Sequence, residues 1–181
     1  MVDMNRIYIP ATCPDDWKMF LAEPEKQWKS GYSARALAYC WQEVGGIPED
    51  IASILMKKKE LDGLETLLTI PEYQVPLPGG GHPSQNDVWV LARAKEGLVS
   101  IAVEGKVSEP FGLTIGEWKK DFSPGKKLRL KYLCSLLGFL KQPIDDVRYQ
   151  LLHRTASAII EANRFHARYA VMVVHSFSQT E

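Results

Sequence analysis

Two short apolar runs, VWVLARA from Val88 and LVSIAVEGKV from Leu98, are separated only by Lys95, Glu96 and Gly97. A connection that short joins antiparallel neighbours, because a parallel pair needs a crossover of a dozen or more residues. The spacing predicts a hairpin with Lys95 and Glu96 at its tip and Gly97 available for a positive backbone angle. In that register Val88 faces Val103 and Asp87 faces Glu104. A bulge at Gly97 would move the pairing by one residue and leave Asp87 and Glu104 neighbours.

Strand alternation sends Ile101, Val103, Gly105 and Val107 to one face and Ser100, Ala102, Glu104 and Lys106 to the other. Two charges thus sit on one face of an otherwise apolar strand, with the Asp87 carboxylate opposite. Facing carboxylates repel, so the arrangement calls for a cation between them. Mg²⁺ or Mn²⁺, held by Asp87 and Glu104 with water, is the simplest candidate, and Lys106 beside it is placed to hold a water or a phosphate oxygen. On this reading, removing Glu104 relieves repulsion and stabilises the metal-free protein. The competing reading is a surface ion pair between Glu104 and Lys106, worth little, with Asp87 as a strand-end residue.

The rest of the chain supplies the layers around this hairpin. The first 32 residues mix proline, tryptophan and charge and predict a short helix within an irregular wrap. A helix is expected from an N-cap at Ser33, with Ala34, Leu37, Ala38, Trp41 and Val44 on its apolar face and Gly45 and Gly46 as its stop. Pro48 opens another in which Ile51, Ile54 and Leu55 pack. Pro71 and Pro76 make LETLLTIPEYQVPLPGGG an edge or bent strand, followed by a flexible glycine-rich loop carrying His82. Later come a helix with Leu128, Leu133, Leu136, Leu137 and Leu140 as core positions, a long helix from a cap at Asp145 or Asp146 to about Phe165, and a closing strand in RYAVMVVHSF. With 181 residues, 45% of them hydrophobic and 24% charged, the chain reads as a single domain, 1–181, made of a wrap (1–32) and a core (33–176).

Two further stretches carry polar function. On the long helix Gln150, His153, Arg154, Ser157 and Glu161 form one stripe on a cylinder that is otherwise apolar, as expected of a buried helix looking into a site, or alternatively of one with a narrow solvent-facing stripe. Between Glu117 and Lys131, the six cations Lys119, Lys120, Lys126, Lys127, Arg129 and Lys131 outnumber two acids, with Trp118 and Phe122 interleaved. Such a patch suits a nucleic-acid backbone with stacking groups, or equally a solvated helix face.

Asp87, then Glu104-Gly105-Lys106 on the next strand, then a helix with Gln150 and a closing strand, resembles the PD-(D/E)xK nuclease superfamily. The stretches DWKMFLAEPEKQWKSGYSARALAYCW and VPLPGGGHPSQNDVWVLA further resemble an uncharacterised bacterial family usually placed there. The resemblance implies an α/β, restriction-endonuclease-like αβββαβ core: a central mixed sheet flanked by helices, with an N-terminal helical extension. It implies that Asp87 and Glu104 bind Mg²⁺ or Mn²⁺, that Lys106 acts on water or phosphate, and that Gln150 supports them. His153, Arg154, Lys126, Lys127 and Arg129 are the expected phosphate contacts. Asn86 stands where the pattern often has proline, and Glu43, the available acid on the first core helix, points away from its apolar face. Glu72 is a further carboxylate within reach of the site.

Equal numbers of acidic and basic residues, 22 each, remove any global attraction to nucleic acid or membrane. Cys13, Cys40 and Cys134 are odd in number and far apart, which excludes a disulfide framework or Cys-based zinc site and suits a reducing compartment. PLPGGGHPSQ lacks the Gly-Lys-Ser/Thr of a phosphate-binding loop, and no Ser-His-Asp or Cys-His signature occurs. The expectation is a cytoplasmic, metal-dependent hydrolase acting on phosphodiester bonds of DNA or RNA, free of membranes, as a monomer or homodimer. The alternative is a non-catalytic nucleic-acid- or protein-binding module that keeps the nuclease-like fold.

Overall fold

A computed structural model describes residue 7, residues 11–139 and residues 141–178. Leu140, expected in the core, lies outside the described residues. The N-terminal wrap is a 3₁₀ turn over Pro14–Phe20 and a single helical turn α1 (Pro24–Gln27). It is anchored by the buried Trp17, whose indole N–H donates to Gln42 at 2.8 Å. Helix α2 (Ser33–Val44) buries Leu37, Ala38 and Trp41. Its cap is Tyr32, so Ser33 is the first helical residue, and Val44 turns out to solvent. In α3 (Glu49–Leu55) only Ile51 is fully buried, and Ile54 is exposed.

The sheet has four strands in the order β1-β2-β3-β4: β1 (Glu65–Val75), β2 (Ser84–Ala94), β3 (Gly97–Lys106) and β4 (Tyr169–Ser176). β1, β2 and β3 form an antiparallel meander and β4 runs parallel to β3. The hairpin register is the expected one, from Ala94↔Gly97 to Val88↔Val103. β1 is an edge strand, which is why Pro71 is tolerated in it. The β3-to-β4 connection carries α4 (Ile115–Trp118), α5 (Pro124–Leu137) and α6 (Tyr149–Arg164).

Alternation splits the sheet into two unlike faces. Val88, Val90, Ala92, Val99, Ile101 and Val103 meet Leu37, Ala38, Trp41 and Trp17 in the main core. Burying a side chain of that kind contributes about 1.5–3 kcal/mol. Gly105 belongs to this face, and a Cβ there would lie 2.3 Å from Leu37 Cδ1, so α2 is seated against β3 where a side chain is missing. The opposite face carries Trp89 and Ser100, joined by a 3.0 Å hydrogen bond, and packs under α6, where Trp89 also meets Tyr73 and Phe165. A second core, Ile115, Leu133, Leu152 and Ala156, ties α4 and α5 to α6.

Two helix expectations need correction. α6 starts at Tyr149 rather than at Asp145, because the Asp145 carbonyl and carboxylate are taken up by Gly116 N–H and Lys119. Leu128 on α5 is exposed, since only one side of that helix meets α6. No helix among the described residues is long and apolar enough to cross a membrane.

Candidate active site

The face of the sheet under α6 changes character toward the start of β2 and the end of β3. Here Asp87 follows Val88 in the hairpin register and so stands opposite Glu104, while the β1–β2 register around Pro71↔Val88 and Tyr73↔Asn86 places Glu72 opposite Asp87. Three carboxylates from three adjacent strands form a row. With Lys106, Gln85, Gln150 and Arg154 they wall an open cavity of about 320 Å³, roofed by Tyr32 and Ser33 at the start of α2.

Each acid is held differently. Asp87 Oδ2 accepts the Gly105 N–H at 2.8 Å, which fixes its side chain across the hairpin. Glu72 accepts from Gln85 Nε2 at 2.6 Å. Its backbone takes φ +51°, a left-handed value that costs a non-glycine residue on the order of 1–3 kcal/mol and is concentrated at functional sites. Glu104 is buried and fully engaged: Lys106 Nζ donates to Oε1 at 2.9 Å, Gln150 Nε2 to the same oxygen at 2.5 Å, and Arg154 Nε to Oε2 at 2.7 Å.

The electrostatics follow from that unequal sharing of cations. Burial, then the Glu104 charge, raises the Asp87 carboxyl to about 7, with Arg154, the Gly105 N–H and Lys106 opposing the shift. Burial and Asp87 raise Glu72 to about 8. Two of the three acids in the row, Asp87 at its centre and Glu72 beside it, therefore stand at the edge of ionisation near neutral pH, the signature of a site short of positive charge. A hard, oxygen-liganded divalent cation fits that donor set. By ligand spacing, no group of three or more His, Cys, Asp or Glu among the described residues is already arranged around a metal position, in keeping with Glu104 being turned to Arg154 and Lys106.

Asp87, Glu104, Lys106 and Gln150, the residues singled out in the sequence, thus converge on one cavity. Lys106 is buried, with its ammonium 5.0 Å from the Phe111 ring centroid. The phosphate contacts expected from the sequence lie elsewhere or are otherwise occupied. Arg154 grips Glu104 and Ser84. Arg129 donates to the carbonyls of Pro78 and Gly80 and so bolts the glycine-rich loop to α5. The loop is thus pinned, not loose: a Cβ at Gly79 would stand 2.1 Å from the Gly125 carbonyl oxygen, with φ +92° besides. Lys126 donates to the Trp118 carbonyl at 3.1 Å, and Lys127 lies over the Phe122 ring. His153 is in a separate cavity, and Glu43 is exposed on α2 away from the site.

Glu109 was not anticipated. It accepts from Ser33 N–H at 2.7 Å and from Val107 N–H at 2.8 Å, tying the end of β3 to the start of α2. Burial works against its charge, but these N–H donors outweigh it and hold the carboxyl below its ordinary range. An acid a few residues after a strand carries no such signal in sequence, because the partner that ties it to α2, Ser33, is 76 residues away.

No curated protein and no solved structure matches the chain. A family model does, over residues 10–181, and so takes in the meander, the α6 stripe and every residue of the carboxylate row. On that match the chain belongs to the family described as Domain of unknown function (DUF6946).

Proposed function

We propose that this protein is a metal-dependent phosphodiesterase acting on nucleic acid, built on a restriction-endonuclease-like core. The observation that carries the reading is the row Glu72, Asp87 and Glu104 on three adjacent strands, with Lys106 beside it, in an open polar cavity. The antiparallel meander, the helical crossover and the fourth strand parallel to the third support that reading of the core.

Asp87 and Glu104 would hold Mg²⁺ or Mn²⁺, with Glu72 completing the oxygen donor set. The ion would supply Lewis acidity toward water and positive charge toward the phosphate. Lys106, its aliphatic stem buried and its ammonium at the cavity wall, donates to the attacking water or to a non-bridging phosphate oxygen. Gln150 holds the Glu104 carboxylate in its present orientation. Arg154 pairs with the buried Glu104 carboxylate at 2.7 Å and fixes its second oxygen.

A second reading, a nucleic-acid-binding module that does not cut, draws on one specific observation. Both oxygens of Glu104 are already satisfied by protein donors. Calorimetric titration with Mg²⁺ and Mn²⁺, wild type against Asp87→Ala, separates the two. The enzyme reading expects saturable binding lost in the variant, together with cleavage of DNA or RNA that stops with EDTA or Lys106→Ala. Absence of both metal binding and cleavage leaves the binding module.

A further inference from the structure

Beside the carboxylate cavity lies a larger one, of about 500 Å³, between the glycine-rich loop and the first turn of α5. Its volume falls in the roughly 300–1,000 Å³ range of small-ligand sites. Its walls combine three chemistries. Trp118 and Tyr149 stack on each other, centroids 4.3 Å apart and planes 14° from parallel, and Lys126 stands 5.2 Å from the Trp118 ring centroid. The third is the imidazole of His153, tilted against Tyr149 with ring centroids 4.8 Å apart.

The hydrogen bonds around His153 assign its tautomer. Arg154 Nη1, which can only donate, reaches Ser84 Oγ at 3.2 Å and His153 Nδ1 at 3.5 Å. Ser84 Oγ lies 2.7 Å from the same Nδ1 and 3.4 Å from the His153 carbonyl, and with Arg154 also aimed at Nδ1 the hydroxyl proton serves the closer nitrogen. Nδ1 is then the acceptor and Nε2 carries the hydrogen. Burial, with Arg154 and Arg129 nearby, lowers the imidazole to about 3, so it remains neutral at physiological pH. The cavity thus holds aromatic surface, a neutral N–H donor and a cation at its rim, the groups that bind an unpaired base and its phosphate.

A third, shallower depression of about 380 Å³ has walls in common with both cavities: it shares Trp118, Tyr149 and His153 with the larger cavity and Gln150 with the carboxylate site. One turn of α6 therefore borders both, and the Glu104–Arg154–Ser84–His153 chain of hydrogen bonds runs between them.

We propose that the Trp118–Tyr149–His153 cavity seats an unpaired nucleobase next to the scissile phosphate, so that the protein acts on single-stranded nucleic acid. This rests on the phosphodiesterase reading for the word scissile, but the base site itself needs no metal. A base stacked in a duplex cannot enter a recess of this kind without leaving its helix, which is why paired substrates are disfavoured.

The test is fluorescence anisotropy in EDTA with labelled 12-mers of one sequence as single-stranded DNA, single-stranded RNA and DNA duplex. The expected result is that at least one single strand binds at least about tenfold more tightly than the duplex. Trp118→Leu, which keeps apolar bulk without the aromatic face, should weaken that binding by roughly 5- to 100-fold, the range of one base stack. Trp118→Phe should restore most of it, and Ile54→Ala, at an exposed position on α3, should leave it within about twofold. Equal affinity for strand and duplex, or wild-type affinity in folded Trp118→Leu, overturns the proposal. Calorimetry with Mg²⁺ on the same variants keeps the two ideas apart. Loss of metal binding in wild type with strand binding intact refutes the enzyme and leaves the base site standing. Metal binding with no strand preference does the reverse.

Discussion

Replacing Asp87 with asparagine changes one oxygen to nitrogen and can keep the hydrogen bond from Gly105 N–H. What it removes is a negative charge between Glu72 and Glu104. In the fold the Asp87 carboxyl is raised from 3.8 to about 7, so its ionised form costs up to roughly 4 kcal/mol relative to the unfolded chain. The cavity is open to solvent and the cost is shared with Glu72, which reduces the expected gain from Asp87→Asn to about 1–3 kcal/mol at pH 8 without metal. The sign follows from the raised pKa. Between about pH 4 and 7 the folded state binds more protons at Asp87 than the unfolded one, so the Asp87 contribution to stability falls as pH rises through that window and levels off above it, while Glu72, raised to about 8, carries the wild-type decline further. The advantage of the variant should be full above pH 7, shrink below it and vanish under pH 4. Urea denaturation followed by tryptophan fluorescence, in EDTA from pH 4 to 8, measures this. Adding Mg²⁺ should then stabilise wild type and leave the variant unmoved. A variant that is less stable than wild type at pH 8, or a difference independent of pH, would refute the electrostatic account of the site.

Glu104→Gln should do the opposite, because it leaves Lys106 and Arg154 buried without a carboxylate. A loss of about 3–5 kcal/mol is expected in the same urea assay, and a stabilised variant would mean that Glu104 repels more than it binds. Gly105→Ala places a Cβ 2.3 Å from Leu37 Cδ1 in a core with no slack. It should cost about 1–3 kcal/mol, and a double substitution with Leu37→Ala should be less than additive.

The expectation that removing Glu104 would stabilise the metal-free protein came from strand arithmetic alone. Two facing acids are visible in the hairpin register, but the cations that decide which of them is stabilised are not. Arg154 is 50 residues from Glu104 in sequence and meets it only because α6 crosses the sheet. The repulsion is real, and the structure moves its cost from Glu104 to Asp87 and Glu72.

Local rules were enough for the hairpin. A two-residue tip sets the register found, a bulge at Gly97 would move it by only one residue, and alternation from the pleat puts Glu104 and Lys106 on one face with Asp87 beside them in either case. The edge position of β1 was legible for a similar reason, in Pro71. The place of Glu72 was not, because residues 76–83 separate β1 from β2 and a connection of that length sets no register. The polar stripe of α6 could be read from helical spacing, but not what it faces: Gln150 and Arg154 reach Glu104, whereas His153, one residue before Arg154, opens into a different cavity. Short-range geometry is written residue by residue along the chain. The pairing of Arg154 with Glu104, the pinning of the glycine loop at Gly125 and the placing of two cavities along α6 depend on how separate elements pack, and only the tertiary structure decides them.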